Sequence, residues 1–253
     1  MISDPTKRFS DRVDNYVKYR PGYPNEVIAY LQSECKLTSA LVIADIGSGT
    51  GIFTKLLLDE GYKVYAVEPN EDMQQAAEQQ LGANKNFNPI NGSAEATTLL
   101  ANSIDLIVCA QAFHWFNNEK TQAEFRRILK EDGHAALIWN NRLADADEFS
   151  IAYESILKQD SIDYNKVNHR NISDFDFKAF FKDGIYKAVK FPNVQVFDEA
   201  GLLGRAFSSS YVPPEGTADG EKFKELLKDI FARYSDGGKV SFHYQTEIYL
   251  GKV

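Results

Sequence analysis

The chain has 253 residues, 43% of them apolar, and a formal charge of −8 at pH 7. That is ample apolar material for one α/β core with an added cap, while the acid excess, with no cluster of Lys and Arg, disfavours nucleic acid and anionic membrane surfaces as partners. The polar opening MISDPTKRFSDR and the lack of any apolar run near the roughly 18 residues of a membrane span lead to the expectation of a cytoplasmic protein, monomer or homodimer, with a small-molecule partner. Residues 1–23 are ionic and aromatic, with Pro21 and Pro24 breaking any helix, and read as an arm with contacts to make. NEVIAYLQSEC is apolar at helical spacing after an Asn cap, and ALVIADI is a β-rich run ending at a glycine loop.

From there strand and helix alternate. A helix is predicted from Ile52 to about Glu60, a strand in KVYAVE, a helix from Glu71 to about Leu81, and a weak strand near NFNPING. Strand IDLIVCAQ, helix NEKTQAEFRRILK and strand GHAALIWN follow. Apolar strands separated by helices predict a doubly wound α/β fold with a mainly parallel sheet covered on both faces. From about Leu143 to Lys182 the text turns charged, aromatic and helical, and is expected to form a cap over the active-site end. A strand in KAVKFPNVQVF, helices in DEAGLLGRAFSSS and DGEKFKELLKDIFARYS, and a closing strand KVSFHYQTEIYLGKV predict an antiparallel finish at the sheet edge.

Two cysteines cannot make a disulfide framework, and Cys109 in IDLIVCA reads as a small core side chain. His114, His134, His169 and His243 lack ligand spacing, so no metal is expected.

The chemistry concentrates in IADIGSGTG, Ile43 to Gly51. A phosphate-binding P-loop ends in Gly-Lys-Ser/Thr, and GSGTGIFTKL lacks that lysine. A dinucleotide fingerprint reads G-x-G-x-x-G; here the spacing is G-x-G-x-G, followed by Ile52. Asp45 at the strand end repels a pyrophosphate and suits an ammonium group, as S-adenosylmethionine carries. Glu68, ending the next strand, stands where a carboxylate accepts hydrogen bonds from ribose hydroxyls. An NAD-dependent dehydrogenase carries little weight beside this pair.

Over residues of about 40 to 140 the sequence resembles the class I S-adenosylmethionine-dependent methyltransferases. IADIGSGTG is similar to that family's first motif, VYAVEPNEDM to its second, NGSAEATTL to its third and IDLIVCAQAFHWF to its fourth. The resemblance implies a seven-stranded Rossmann-like sheet with an antiparallel last strand. It implies that the loop Gly47, Ser48, Gly49 and Gly51 lets backbone approach the methionine part, that Glu68 with Pro69 holds the ribose, and that Met73 packs near the adenine. Ser93, Ala94 and Glu95 would meet the adenine edge, with Ala110 and Gln111 completing the cofactor wall. Many members carry Asp where this chain has Ser93, so Glu95 could supply that contact.

Methyl transfer from a sulfonium is an in-line displacement that needs alignment and exclusion of water. QAFHWF lies at the carboxyl edge of the sheet, which makes His114 the candidate base or acceptor-positioning residue and Trp115 a neighbour able to face a cation. FSDRVDNYVKYRPGYP and AQAFHWF resemble segments of the type-11 subgroup that includes trans-aconitate and cantharidin methyltransferases. That resemblance implies Tyr16, Tyr19 and Arg20 closing over the site, Arg20 pairing a carboxylate of cofactor or acceptor. The expected function is methylation of a small molecule on oxygen, of a carboxylate or a hydroxyl. C-methylation of a quinone-like or lipid precursor, and a non-catalytic adenosylmethionine-binding module, are the alternatives.

Overall fold

Apolar runs that are buried on both faces set the frame. Ile43–Ile46 and Ile104 with Leu106–Cys109 are wholly buried, as strands covered by helices on either side must be. The computed structural model describes residues 17–162, 164 and 172–253. In chain order these give α1 (Asn25–Cys35), β1 (Val42–Ile46), α2 (Ile52–Asp59), β2 (Lys63–Val67), α3 (Glu71–Leu81), β3 (Phe87–Ile90) and β4 (Ile104–Ala110). Then come a 3-10 turn (Phe113–Trp115), α4 (Glu119–Ile128), β5 (Leu129–Arg142), α5 (Glu148–Asp160), α6 (Asp174–Phe180), β6 (Lys187–Phe197), α7 (Glu199–Phe207), α8 (Ala218–Tyr234) and β7 (Val240–Gly251). Side-chain caps start most of the helices that border the site: Asn70 accepts from Met73 N at α3, Asn118 from Thr121 N at α4, and Asp198 from Gly201 N at α7.

The sheet order is β3-β2-β1-β4-β5-β7-β6, with β1 to β5 parallel and β7 antiparallel to both its neighbours. The doubly wound, seven-stranded fold with an antiparallel last strand is therefore present. The closing strand does not lie at the edge, however: β7 enters between β5 and β6, and β6 is the edge. The residues explain the choice. β7 alternates buried and half-buried positions along its length, as an interior strand does, whereas β6 carries Lys187, Lys190 and Pro192, which suit a strand with one open side.

Helices α1 and α2 cover one face through Val27, Leu31, Phe53 and Leu57, packed on Ile43, Val64, Leu106 and Val108. On the other face α4 and α6 cover Ala44, Ile107 and Leu137 through Phe125, Ile128, Phe177 and Phe180. A third core joins α5, α7 and α8 to the start of β7, with Tyr153, Leu157, Leu202, Phe223, Leu227 and Phe242. The segment expected as one cap is thus divided. α5 joins the third core, but α6 is a sheet-covering helix, because Phe177 stacks on Tyr249 at 4.0 Å and Phe180 meets Phe113 at 4.5 Å. Residues 163 and 165–171 of that segment lie outside the described residues. Among the described residues no helix is long and apolar enough to cross a membrane.

Candidate active site

The loop after β1 is drawn onto the end of β2, where Val67 O accepts from Gly47 N at 2.9 Å and Ser48 N at 3.2 Å. Gly47 has φ of 70°, and a Cβ there would lie 2.6 Å from Ala112 Cβ, so only glycine lets the loop close against the turn after β4. Gly51 has φ of 82° and would place a Cβ 2.7 Å from Leu81 Cδ1; it is the seat of α2 against α3. It differs from Gly47, Ser48 and Gly49, which line a cavity of about 400 Å³ along the carboxyl edge of the sheet.

Two carboxylates stand in that wall. Asp45 is fully buried; its Oδ2 accepts from Thr54 Oγ1 at 2.6 Å, and its Oδ1 has no hydrogen-bond partner. Burial pushes this carboxyl up to about 7; the Thr54 bond opposes the rise and the Glu68 charge adds to it. Glu68 is also buried, with Oε2 accepting from Gly49 N at 2.8 Å and Oε1 from Asn70 N at 2.9 Å. Burial raises it, against the pull of those two N–H groups. Each carboxylate oxygen carries two lone pairs, so Glu68 keeps capacity for two further donors.

Pro69, Met73, Ser93, Ala94, Glu95, Ala110 and Gln111 line the same cavity. Glu95 Oε1 accepts from Asn118 Nδ2 at 3.0 Å, which ties the turn after β3 to the cap of α4. Gln111 has φ of 62°, a left-handed residue at the end of β4 that turns the chain toward His114.

His114 and Trp115 line the cavity too, their rings 4.8 Å apart. His114 Nδ1 accepts from Trp139 Nε1 at 3.5 Å. An indole N–H is a donor only, so Nδ1 is the acceptor in this bond, an arrangement that favours the neutral tautomer with its proton on Nε2. Arg20 lines the cavity and donates through Nη2 to Ser208 O at 2.9 Å. The chain there is held by Gly22 O, which accepts from Asn140 Nδ2 at 3.0 Å and Asn193 Nδ2 at 2.9 Å. Tyr19 does not line the cavity: its ring packs against Gly204 and Phe197, outside the wall. Tyr16 lies outside the described residues.

The far wall holds residues that sequence reading missed: Arg142, Tyr164, Arg205, Tyr211 and Tyr244. Arg142 pairs with Glu154 and donates to Tyr164 OH at 3.3 Å. Arg205 donates to Tyr244 OH at 3.3 Å and Ser209 Oγ at 3.1 Å. A signal existed for Arg205, since helical spacing sets it on the same face as the buried Leu202 and Ala206. None existed for the meeting of β5 with β7, where Arg142 is opposite Tyr244.

A family model described as a methyltransferase domain matches residues 44–137. A Dictyostelium discoideum protein described as a candidate methyltransferase is 31% identical over 204 residues, which cover 76% of this chain and 74% of that protein. This chain belongs to the methyltransferase family. An uncharacterized methyltransferase-like protein of Schizosaccharomyces pombe is 34% identical over 137 residues, 54% of this chain, and the chain spans about half the length of that and similar curated relatives, 52% in this case. The fold is shared with a structure described as a candidate type II methyltransferase from Anaeromyxobacter dehalogenans, with a TM-score of 0.66 and 20% identity over 92% of this chain and 98% of that one. It is also shared with phosphoethanolamine N-methyltransferase 2 of Haemonchus contortus in complex with S-adenosyl-L-methionine, at a TM-score of 0.56 and 16% identity over 98% of this chain and 58% of that one.

The wall of this cavity fits S-adenosylmethionine. The buried Asp45 Oδ1 without a partner calls for a donor, and an ammonium group supplies one together with the charge that a buried carboxylate lacks. Glu68 has acceptor capacity for a pair of hydroxyls, and Gly47 and Gly49 leave backbone without side chains between the two acids. Among the described residues no cluster of three or more His, Cys, Asp and Glu could hold a metal ion.

Proposed function

We propose that this chain transfers a methyl group from S-adenosylmethionine to an oxygen of a small-molecule acceptor, and that this oxygen belongs to a carboxylate. When bound, the donor supplies an electrophilic methyl group on a sulfonium. Asp45 binds its ammonium group, Glu68 its ribose hydroxyls, and Met73 with the turn at Ser93, Ala94 and Glu95 borders the adenine.

The observation that carries the choice of acceptor is the bond from Trp139 Nε1 to His114 Nδ1. A ring whose Nε2 bears the proton is a hydrogen-bond donor, suited to orienting an anionic oxygen and unsuited to taking a proton from a hydroxyl. A carboxylate is already a nucleophile at neutral pH and needs only to be aligned and shielded from water. Residues 20 to 23, held through Gly22, supply part of that shield, in keeping with an amino-terminal arm over the site. The resemblance of the arm and of AQAFHWF to trans-aconitate and cantharidin methyltransferases supports the same assignment.

The test is incubation with methyl-labelled S-adenosylmethionine and a panel of carboxylic acids, phenols and quinones. Methyl esters are expected, which release labelled methanol on mild alkaline hydrolysis. Label in base-stable products would instead indicate an ether or a carbon acceptor, and tight binding of S-adenosylhomocysteine without transfer to any compound would indicate a binding module.

A further inference from the structure

The cavity has two ends of opposite charge. Asp45 and Glu68 stand at the ends of β1 and β2 and Glu95 in the turn after β3, while Arg142 and Arg205 stand on the β5, β7 and α7 side. Arg142 is balanced by Glu154, and hydrogen bonds from Tyr164, Arg142 and Lys158 hold that carboxyl below its usual range although burial pushes it up. Arg205 is different. It is only 7% exposed, its hydrogen bonds go to the hydroxyls of Tyr244 and Ser209, and no acidic side chain of the described residues pairs with it. Its guanidinium also lies over the Phe242 ring at 6.0 Å. A buried guanidinium with neutral partners costs stability that an anion would return.

We propose that the acceptor carries a second anionic group, separate from the oxygen that is methylated, and that Arg205, flanked by Tyr211 and Tyr244, is its anchor. The proposal rests on the methyl-transfer reading for the identity of the acceptor site. The geometry separates the anchor from the cofactor seat. Tyr244, to whose hydroxyl Arg205 donates, is on β7, three strands from β1 in the sheet or about 14 Å at the usual strand spacing. The amino acid carboxylate of a donor whose ammonium group sits on Asp45 is only a few bonds from that ammonium group, which leaves Arg205 to the acceptor. Tyr211 reports the same field: burial pushes its phenol up, yet the charges of Arg205, Arg20 and Arg142 and a hydrogen bond with Ser209 together hold it below its ordinary value. An Arg fork binds carboxylate or phosphate oxygens in pairs, so the second group is an anion of that class.

The experiment compares wild type, Arg205→Lys, Arg205→Met and Tyr211→Phe. Thermal unfolding of the cofactor-free protein is followed with glutarate, inorganic phosphate or, at matched ionic strength, chloride. Calorimetry with S-adenosylhomocysteine is run on each protein. Wild type is expected to gain stability from glutarate or phosphate beyond chloride, and the better of the two identifies the class of anion. Arg205→Met should abolish the gain and Arg205→Lys should reduce it, with S-adenosylhomocysteine affinity unchanged. Once an acceptor is known, Arg205→Lys should raise its KM by about tenfold to a hundredfold with little change in kcat.

Equal anion stabilisation of wild type and Arg205→Met, or none in wild type, overturns the anchor. Weakened S-adenosylhomocysteine binding in both Arg205 variants assigns the residue to the cofactor and also overturns it. If Arg205→Met does not fold, Arg205→Lys and Tyr211→Phe carry the comparison. Failure of wild type to bind S-adenosylhomocysteine would instead strike the methyl-transfer reading while leaving the anion result standing.

Discussion

Replacing Asp45 by Asn should stabilise the cofactor-free protein at pH 8 while weakening the cofactor, because one buried oxygen serves the ligand at the expense of the fold. Burial moves the Asp45 carboxyl from its ordinary 3.8 to about 7. The folded protein therefore holds the proton more tightly than the unfolded chain. The stability this group contributes is fully present below pH 3.8, is lost as pH rises, and is gone above about 7. A gap of roughly three pKa units at about 1.4 kcal/mol each sets the loss at the order of 4 kcal/mol.

Asn keeps the shape, accepts from Thr54 through its amide oxygen and has no charge to bury. The difference in unfolding free energy between Asp45→Asn and wild type should be near zero at pH 4, should widen in favour of the variant up to pH 7, and should stay constant above it. Denaturant unfolding of both proteins from pH 4 to 8.5 measures this, and other titrating groups cancel in the difference. With S-adenosylmethionine present, wild-type affinity should climb with pH through about 7, and the variant should bind more than about tenfold weaker with no such climb. A stability difference that does not vary between pH 5 and 8 would refute the buried-carboxylate account. Unchanged affinity in the variant would refute the ammonium seat.

Glu68→Ala should weaken S-adenosylmethionine by more than about tenfold in calorimetry, since two charge-assisted hydrogen bonds are lost, and unchanged affinity with folding intact would remove Glu68 from the ribose. His114→Asn, which keeps a donor, should retain most of the turnover with no step near pH 6.5, whereas His114→Ala should mainly raise the acceptor KM; a fall in kcat of roughly a hundredfold in both would restore the base role. Gly51→Ala forces a Cβ to within 2.7 Å of Leu81 Cδ1 at φ of 82°, and should cost about 1–3 kcal/mol in denaturant unfolding; a neutral result would show that α3 shifts freely.

Much of the site was legible in the sequence because its signals are local. The glycine loop, the acid that precedes it and the acid ending β2 all lie within Asp45 to Glu68, and alternation of β-rich and helical text places both acids at strand ends on one edge of a parallel sheet. His114 and Trp115 were legible for the same reason, as the residues just past β4. The tautomer of His114 was not, because Trp139 donates to it from the neighbouring strand, 25 residues away.

By itself, then, the sequence determined the doubly wound frame, the glycine loop and the pair of acids, each set by spacing within a few turns or one strand–helix unit. Tertiary structure alone decided that β7 enters between β5 and β6, that α6 covers the sheet where a cap was expected, and that Arg142, Arg205 and Tyr244 meet on one wall. Those three residues come from β5, α7 and β7, and what joins them is the antiparallel register of Arg142 opposite Tyr244 together with the packing of α7 on Phe242 of β7. Strand insertion and helix docking depend on which apolar faces bury the most area together, a property of the whole core that no local window of residues contains.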